Sequence, residues 1–235
     1  MFDLIAFDAD DTLWENNSLY IEAREKFKQI LARYGVTDPI DDRLDEIEEG
    51  NLPYFGYGVM SFVLSMVEAG VEATGGRISG NDAGAIIGLA KDMITRKVQL
   101  FEDAEPTLRA VARRYHLILI TKGDLAHQQS KVAQSGLAPF FSEVHVVADK
   151  TRAVYSDILA RHRVAAERFL MVGNSIRADI LPVLELGGWG VYVPYDLTWS
   201  HEMVDLPQGY DGRFFEVDHL ALLPGLLKKI EGGAA

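Results

Sequence analysis

Five short apolar runs, each stopping abruptly at a polar or glycine-containing turn, constrain this chain more than any other feature. The first covers residues 2–7 and ends in the acid-rich segment Asp8, Asp10 and Asp11. A run this short with carboxylates at its end suits a buried parallel strand that delivers its last side chains into a cleft. Similar runs lie at residues 116–120, 144–148, 168–172 and 190–193, most of them separated by helix-like stretches. This alternation predicts an α/β fold with a Rossmann-like three-layer core around a central parallel sheet.

Residues 16–99 break the rhythm. They look helical and contain no convincing strand, which predicts a mostly α-helical cap domain inserted after the first strand of a core made of residues 1–15 and 100–235. Phe27, Ile30, Leu31 and Tyr34 lie at helical spacing on one face, and Val59, Phe62, Val63, Met66 and Val67 repeat the pattern in a more apolar segment. The first of these helices is expected to face solvent and the second to be buried. Residues 70–80, rich in glycine, read as a loop between cap helices, and the acidic run 41–49 as a solvated helical face, neither with a catalytic role. The tail 230–235 is expected to fray.

Composition narrows the function. With 235 residues, 48% hydrophobic and 25% charged, the chain can bury a substantial core, and no apolar run is long enough to cross a membrane. The first eight residues carry no basic stretch and no small-residue cleavage site, so a cytoplasmic setting is expected. There is no cysteine, which excludes disulfides, thiolate nucleophiles and cysteine-bound zinc. Lys and Arg number 23 against 35 Asp and Glu, a net charge of −12 that argues against binding nucleic-acid backbone. A small anionic substrate needs only a local positive patch, to which a divalent cation can contribute.

The chemistry concentrates at Asp8-Ala9-Asp10-Asp11-Thr12-Leu13. Carboxylates crowded at a strand end are unfavourable unless a cation or substrate compensates them, although a plain polar turn at Asp10 and Asp11 is the bland alternative. Alternate residues leaving an extended strand can aim one carboxylate at a reacting centre and the next at its leaving group. Here the chain resembles the haloacid dehalogenase superfamily, whose phosphatase members begin with an apolar strand followed by D-x-D-x-T. The resemblance implies that Asp8 attacks phosphorus and that Asp10 protonates the leaving oxygen, then deprotonates the attacking water. It also implies that Thr12 positions Asp10 and that Mg2+ is held by the Asp8 carboxylate and the Asp10 backbone carbonyl. Asp11 falls at a variable position and is expected to make structural contacts.

Three later segments fit the same resemblance. Thr121, at the end of the second run, corresponds to the hydroxyl that bonds a phosphoryl oxygen, with the backbone N–H groups of Lys122 and Gly123 as further donors. Lys122 itself reads as a surface lysine, and Asp124 as the cap of the next helix. Lys150, after the third run, corresponds to the lysine that neutralises phosphate and nucleophile. Gly173-Asn174-Ser175-Ile176-Arg177-Ala178-Asp179 corresponds to the acidic motif G-D-x-x-x-x-D that completes the metal site, with Asn174 in place of its first Asp and Asp179 as its last. An amide oxygen ligates magnesium without contributing charge. Ser175 reads as a helix cap and Arg177 as a surface or interface charge.

These segments together imply a magnesium-dependent phosphohydrolase acting on a small phosphorylated metabolite. A haloacid dehalogenase or phosphomutase of the same superfamily, and a noncatalytic phospholigand- or protein-binding module, are the alternatives. Asp10 argues against dehalogenation, which needs no acid for its leaving group. The six histidines show no short paired spacing and read as structural. Of the aromatic residues Trp14, Tyr20, Tyr54, Phe55 and Tyr57, Trp14 is the best candidate to line the pocket.

Overall fold

The computed structural model describes residues 2–36, 39–199, 202, 204–205, 209–210 and 212–232. After β1 (Leu4–Phe7) the chain passes through β2 (Trp14–Glu15) into four helices, α1 (Asn17–Ala32), α2 (Asp41–Phe55), α3 (Val59–Ala73) and α4 (Gly80–Thr95), and returns by β3 (Gln99–Leu100). Alternation then resumes with α5 (Ala104–Val111), β4 (His116–Lys122), α6 (Leu125–Ser135), β5 (Glu143–Val147), α7 (Arg152–His162) and β6 (Phe169–Gly173). The last elements are α8 (Leu181–Leu184), β7 (Trp189–Tyr192), β8 (Phe214–Glu216) and α9 (Leu223–Gly232).

Six strands form one parallel sheet in the order β5-β4-β1-β6-β7-β8. Because side chains alternate across a strand, Ile5, Phe7, Leu117, Leu119, Leu170 and Val172 enter one core with Leu108 and Leu227, whereas Leu4, Ala6, Ile118, Ile120, Phe169 and Met171 enter another with Tyr155 and Ile158. Helices thus cover both faces, giving the expected three layers. In register Phe7, the last residue of β1, lies opposite Leu119 and Val172, and β6 runs one residue further and β4 three. Asp8, Thr121 and Asn174 are delivered to one edge by that register.

The helices α1–α4 bury their own cluster, centred on Phe27, Leu44, Phe62, Met66 and Ile86. The chain leaves and re-enters the sheet region through an antiparallel ribbon in which Trp14 pairs with Leu100 and Glu15 with Gln99. Several expectations need correction. Helix α1 does not simply face solvent: Phe27, Ile30 and Leu31 are buried, while Tyr34 lies beyond its end. Helix α3 buries Val59, Phe62, Val63 and Met66 as expected, and leaves Met60, Leu64 and Val71 on its other side exposed. The glycine-rich loop shrinks to residues 74–79, with Gly70 inside α3 and Gly80 opening α4. Helix α9 extends through Gly232, so residues 230–232 are ordered helix; residues 233–235 lie outside those described. Strand β8 and the β2–β3 ribbon were too short to register as apolar runs. Among the described residues no helix is long and apolar enough to cross a membrane.

Candidate active site

A cavity of about 500 Å³ opens where the carboxyl ends of β1, β4 and β6 face α1 and α2. Asp8, Asp10, Thr121, Lys122, Gly123, Lys150, Asn174 and Asp179 all line it. Four segments far apart in sequence therefore meet because they end adjacent or nearby parallel strands.

Asp8 is almost fully buried and accepts a hydrogen bond from the Lys150 ammonium, which also donates to Asp179 Oδ1 at 2.6 Å. Burial, opposed by Lys150 and reinforced by the Asp179 and Asp10 charges, pushes the Asp8 carboxyl up to about 7. Burial also works against the Lys150 charge, but Asp179 and Asp8 outweigh it and hold the amine firmly protonated. Thr12 sits beneath this group with its Oγ1 3.1 Å from both Asp8 Oδ2 and Asn174 Oδ1. Its one hydrogen serves either acceptor in turn. Thr12 does not line the cavity, and its hydroxyl meets Asp8 and Asn174 rather than Asp10, the partner expected for it: it ties the turn after β1 to the end of β6.

Asp10 has different neighbours. Lys131 Nζ lies 2.7 Å from both its oxygens, Gln128 Nε2 donates to Oδ2 at 3.0 Å, and Trp14 Nε1 donates to Oδ1 at 2.6 Å. Burial alone would raise this carboxyl, but Lys131, assisted by the bonds from Gln128 and Trp14, holds it below the usual range. The charged form of Asp10 is thus favoured in the free protein, whereas the proton donation that the resemblance implies needs its neutral form. Trp14 is corrected too: it is 1% exposed and packs in the core while its N–H donates to Asp10, so it does not line this cavity. Sequence reading missed Lys131 and Gln128. Both lie on α6, one turn apart, and only the packing of that helix turns them toward β1.

Gln128 Nε2 also lies 2.7 Å from Thr121 Oγ1 and 2.8 Å from Lys122 O, so its two hydrogens are shared among these and Asp10 Oδ2. The Gly123 N–H is already bonded to Val147 O at 3.2 Å, which corrects its expected part in binding phosphate. Lys122 is no plain surface lysine: its ammonium lies 4.0 Å from the centre of the Tyr57 ring and pairs with Glu202.

In the last segment Ser175 Oγ accepts from Ala178 N at 2.9 Å, capping a π-helical turn over Ile176–Ile180 that folds Asp179 back onto the strand end. Asp179 Oδ2 accepts from Ser175 N at 3.0 Å. A Cβ at Gly173 would lie 2.2 Å from that Oδ2, so glycine is required by the close approach of the carboxylate. Asp11 is structural: at φ +61° its Oδ1 accepts from the N–H groups of Asn16 and Asn17 at 2.8 and 2.9 Å and fastens the start of α1.

The acidic run 41–49 is not wholly solvated. Arg24 of α1 pairs with Asp45 at 2.5 Å and Glu48 at 3.1 Å, and all three line the cavity opposite Asp8. Burial pushes Glu48 up to about 7 against the pull of Arg24.

Mg2+ suits this donor set. Asp8, Asn174 and Asp179 offer hard oxygens, and the buried group of Asp8, Asp179 and Lys150 carries one more negative than positive charge when both carboxyls are ionised. A cation beside Asp8 would offset the burial that raises its carboxyl.

A carboxylate at the end of a buried strand of a parallel sheet, held by a buried lysine in a cavity roofed by inserted helices, is an arrangement able to present an aspartate to a substrate. The chain belongs to the haloacid dehalogenase-like hydrolase family, which it matches over residues 2–187. It is similar, at 36% identity and TM-score 0.88 over 99% of this chain and 93% of the other, to a haloacid dehalogenase-like family hydrolase from Xanthomonas campestris. At lower identity the fold recurs in a 2-haloacid dehalogenase from Pseudomonas syringae pv. tomato (23%, TM-score 0.63, covering 97% and 99% of the two chains). It recurs again in a predicted phosphoglycolate phosphatase from Haemophilus somnus (16%, TM-score 0.64, covering 96% and 98%). No curated protein sequence matches the chain.

Proposed function

We propose that the chain hydrolyses a phosphate monoester of a small metabolite through an aspartyl-phosphate on Asp8. The observation that carries this reading is the second carboxylate, Asp10, which lines the same cavity as Asp8 but has its own hydrogen-bonding partners. Asp8 attacks phosphorus, the bond from phosphorus to the ester oxygen breaks, and Asp10 gives that oxygen a proton. Water then attacks the aspartyl-phosphate, its proton passes to Asp10, and inorganic phosphate leaves with Asp8 restored. Lys150 holds the nucleophile and balances phosphoryl charge, while Thr121 donates its hydroxyl hydrogen to a phosphoryl oxygen. Mg2+ held by Asp8, the Asp10 carbonyl, Asn174 and Asp179 would add positive charge at the phosphoryl group.

The free-state pairing of Asp10 with Lys131 is compatible with an acid role. A phosphate dianion entering beside Asp10 adds negative charge and competes for Lys131, and both effects raise the carboxyl toward protonation. The same pairing favours a second reading, hydrolysis of a 2-haloacid, because a halide departs without a proton.

The test measures phosphate release from sugar phosphates, nucleotides, phosphoglycolate-like acids and phosphoamino acids with Mg2+ and then with chelator, alongside halide release from 2-haloacids. Chelator-sensitive phosphate release is expected, lost by about 10³-fold or more in Asp8→Asn. Asp10→Asn should lower kcat/KM, which reports formation of the aspartyl-phosphate, by about 10²–10⁴-fold on alkyl phosphates and much less on nitrophenyl phosphate, whose leaving group needs no proton. Halide release alone selects the second reading; turnover unchanged in Asp8→Asn overturns both.

A further inference from the structure

Three side chains outside the active-site cavity converge at the far end of the sheet. Glu143 and His145 stand two residues apart on β5, an edge strand, and therefore leave it on the same face. The last residue of α7, His162, comes up against them. The two imidazole Nε2 atoms lie 3.1 Å apart with their rings edge to face, and the Glu143 carboxylate oxygens lie 3.7 Å from His145 Nε2 and 3.4 Å from His162 Nε2. Among the described residues this is the one set of three His, Asp or Glu side chains whose ligating atoms all fall within 4.8 Å of one another.

A shared proton accounts for only part of this arrangement. One hydrogen between the two Nε2 atoms satisfies the imidazole pair but leaves the carboxylate at distances long for a hydrogen bond. An ion bound at about 2.0–2.1 Å by each group in tetrahedral geometry would instead set neighbouring ligand atoms about 3.3 Å apart, close to the 3.1 Å between the two Nε2 atoms and the 3.4 Å from His162 Nε2 to Glu143 Oε2; the oxygen 3.7 Å from His145 Nε2 is the other one, Oε1. His145 is 8% exposed, so its ring is held in place by packing against β5 and α7. Two imidazoles and one carboxylate suit a transition ion such as zinc better than magnesium, which prefers an all-oxygen octahedron.

We infer that Glu143, His145 and His162 bind one divalent transition ion of the zinc class, with a fourth position open on the side of the exposed glutamate. None of the three lines the cavity that holds Asp8, so this site is distinct from the magnesium site. Its ligands come from the first residue of β5 and the last of α7, the two ends of the unit whose connecting turn carries Lys150. Ion binding therefore staples together the element that positions the active-site lysine.

The test is calorimetric titration of the full chain with ZnCl2 in excess MgCl2, followed by Co2+ substitution read in the visible d–d absorption. One zinc per chain is expected, with binding weakened at least about tenfold in His162→Gln and unchanged in Asp8→Asn. The cobalt complex should show the intense bands of a low-symmetry, imidazole-ligated site, absent in the same variant. If His162→Gln does not fold, Glu143→Ala, at a half-exposed side chain, carries the same comparison. Failure of the intact chain to bind zinc, equal affinity in the ligand variants, or loss of binding in Asp8→Asn overturns the inference.

Discussion

Asp8 and Asp10 leave one strand two residues apart and acquire opposite electrostatics, because the first is buried against Asp179 as well as Lys150 and the second meets Lys131 with two neutral donors. Replacing Lys131 with Met leaves burial as the main influence on Asp10, so its pKa rises. If Asp10 protonates the leaving group, the alkaline limb of kcat/KM for an alkyl phosphate moves to higher pH in Lys131→Met; an unmoved limb assigns the acid elsewhere. Asp11 supplies a stability prediction with a definite sign. Burial pushes it up to about 7, so the folded state keeps a proton that the unfolded state has released between about pH 4 and pH 7, and stability falls as pH rises through that window. Asparagine keeps an acceptor for the Asn16 and Asn17 N–H groups and tolerates the left-handed backbone. Asp11→Asn should therefore stabilise the protein by about 1 kcal/mol at pH 8 and by nearly nothing at pH 4, as read by urea unfolding at both pH values. The aspartates were legible in the sequence as a motif. Their charge states were not, since Lys131 lies 121 residues from Asp10 along the chain.

At the scale of elements, each site residue owes its place to a strand end or to the turn after it. The π-helical turn after β6 brings Asp179 so close to Gly173 that no side chain fits between them. Gly173→Ala should push the carboxylate off Lys150 and Ser175 N, costing about 1–3 kcal/mol in thermal unfolding and lowering turnover far more than Lys122→Ala does. Strand identities were readable because a fully buried parallel strand is a short apolar run, and all five expected runs overlap a strand of the sheet. The three-residue β8 and the two-residue β2 and β3 were not, since segments so short carry no periodicity. The cap helices were readable as helices. What each packs against was not, because α1 and α3 hide their apolar stripes against one another and against α2 and α4, and that choice is made only when the four are packed.

For the whole molecule, the sheet order carries the site. Placing β1 between β4 and β6 sets Asp8 between Thr121 and Asn174, and the edge position of β5 lets Lys150 reach across from one side while leaving Glu143 and His145 at the rim. The cap closes the cavity from the other side with Arg24, Asp45 and Glu48, residues whose sequence pattern is that of an ordinary solvated helix. Local physics was enough to determine the α/β class and the helical insertion, because strand burial, helix periodicity and turn chemistry are all written within a few residues, while the motif segments after the first were picked out by their resemblance to a family pattern. Only the tertiary structure decided which carboxylate is paired with which cation, that Trp14 donates to Asp10 rather than lining the cavity, and that two histidines 17 residues apart face each other. Those outcomes depend on contacts between elements distant in sequence, whose energies arise from burial and charge proximity that exist only once the chain has folded.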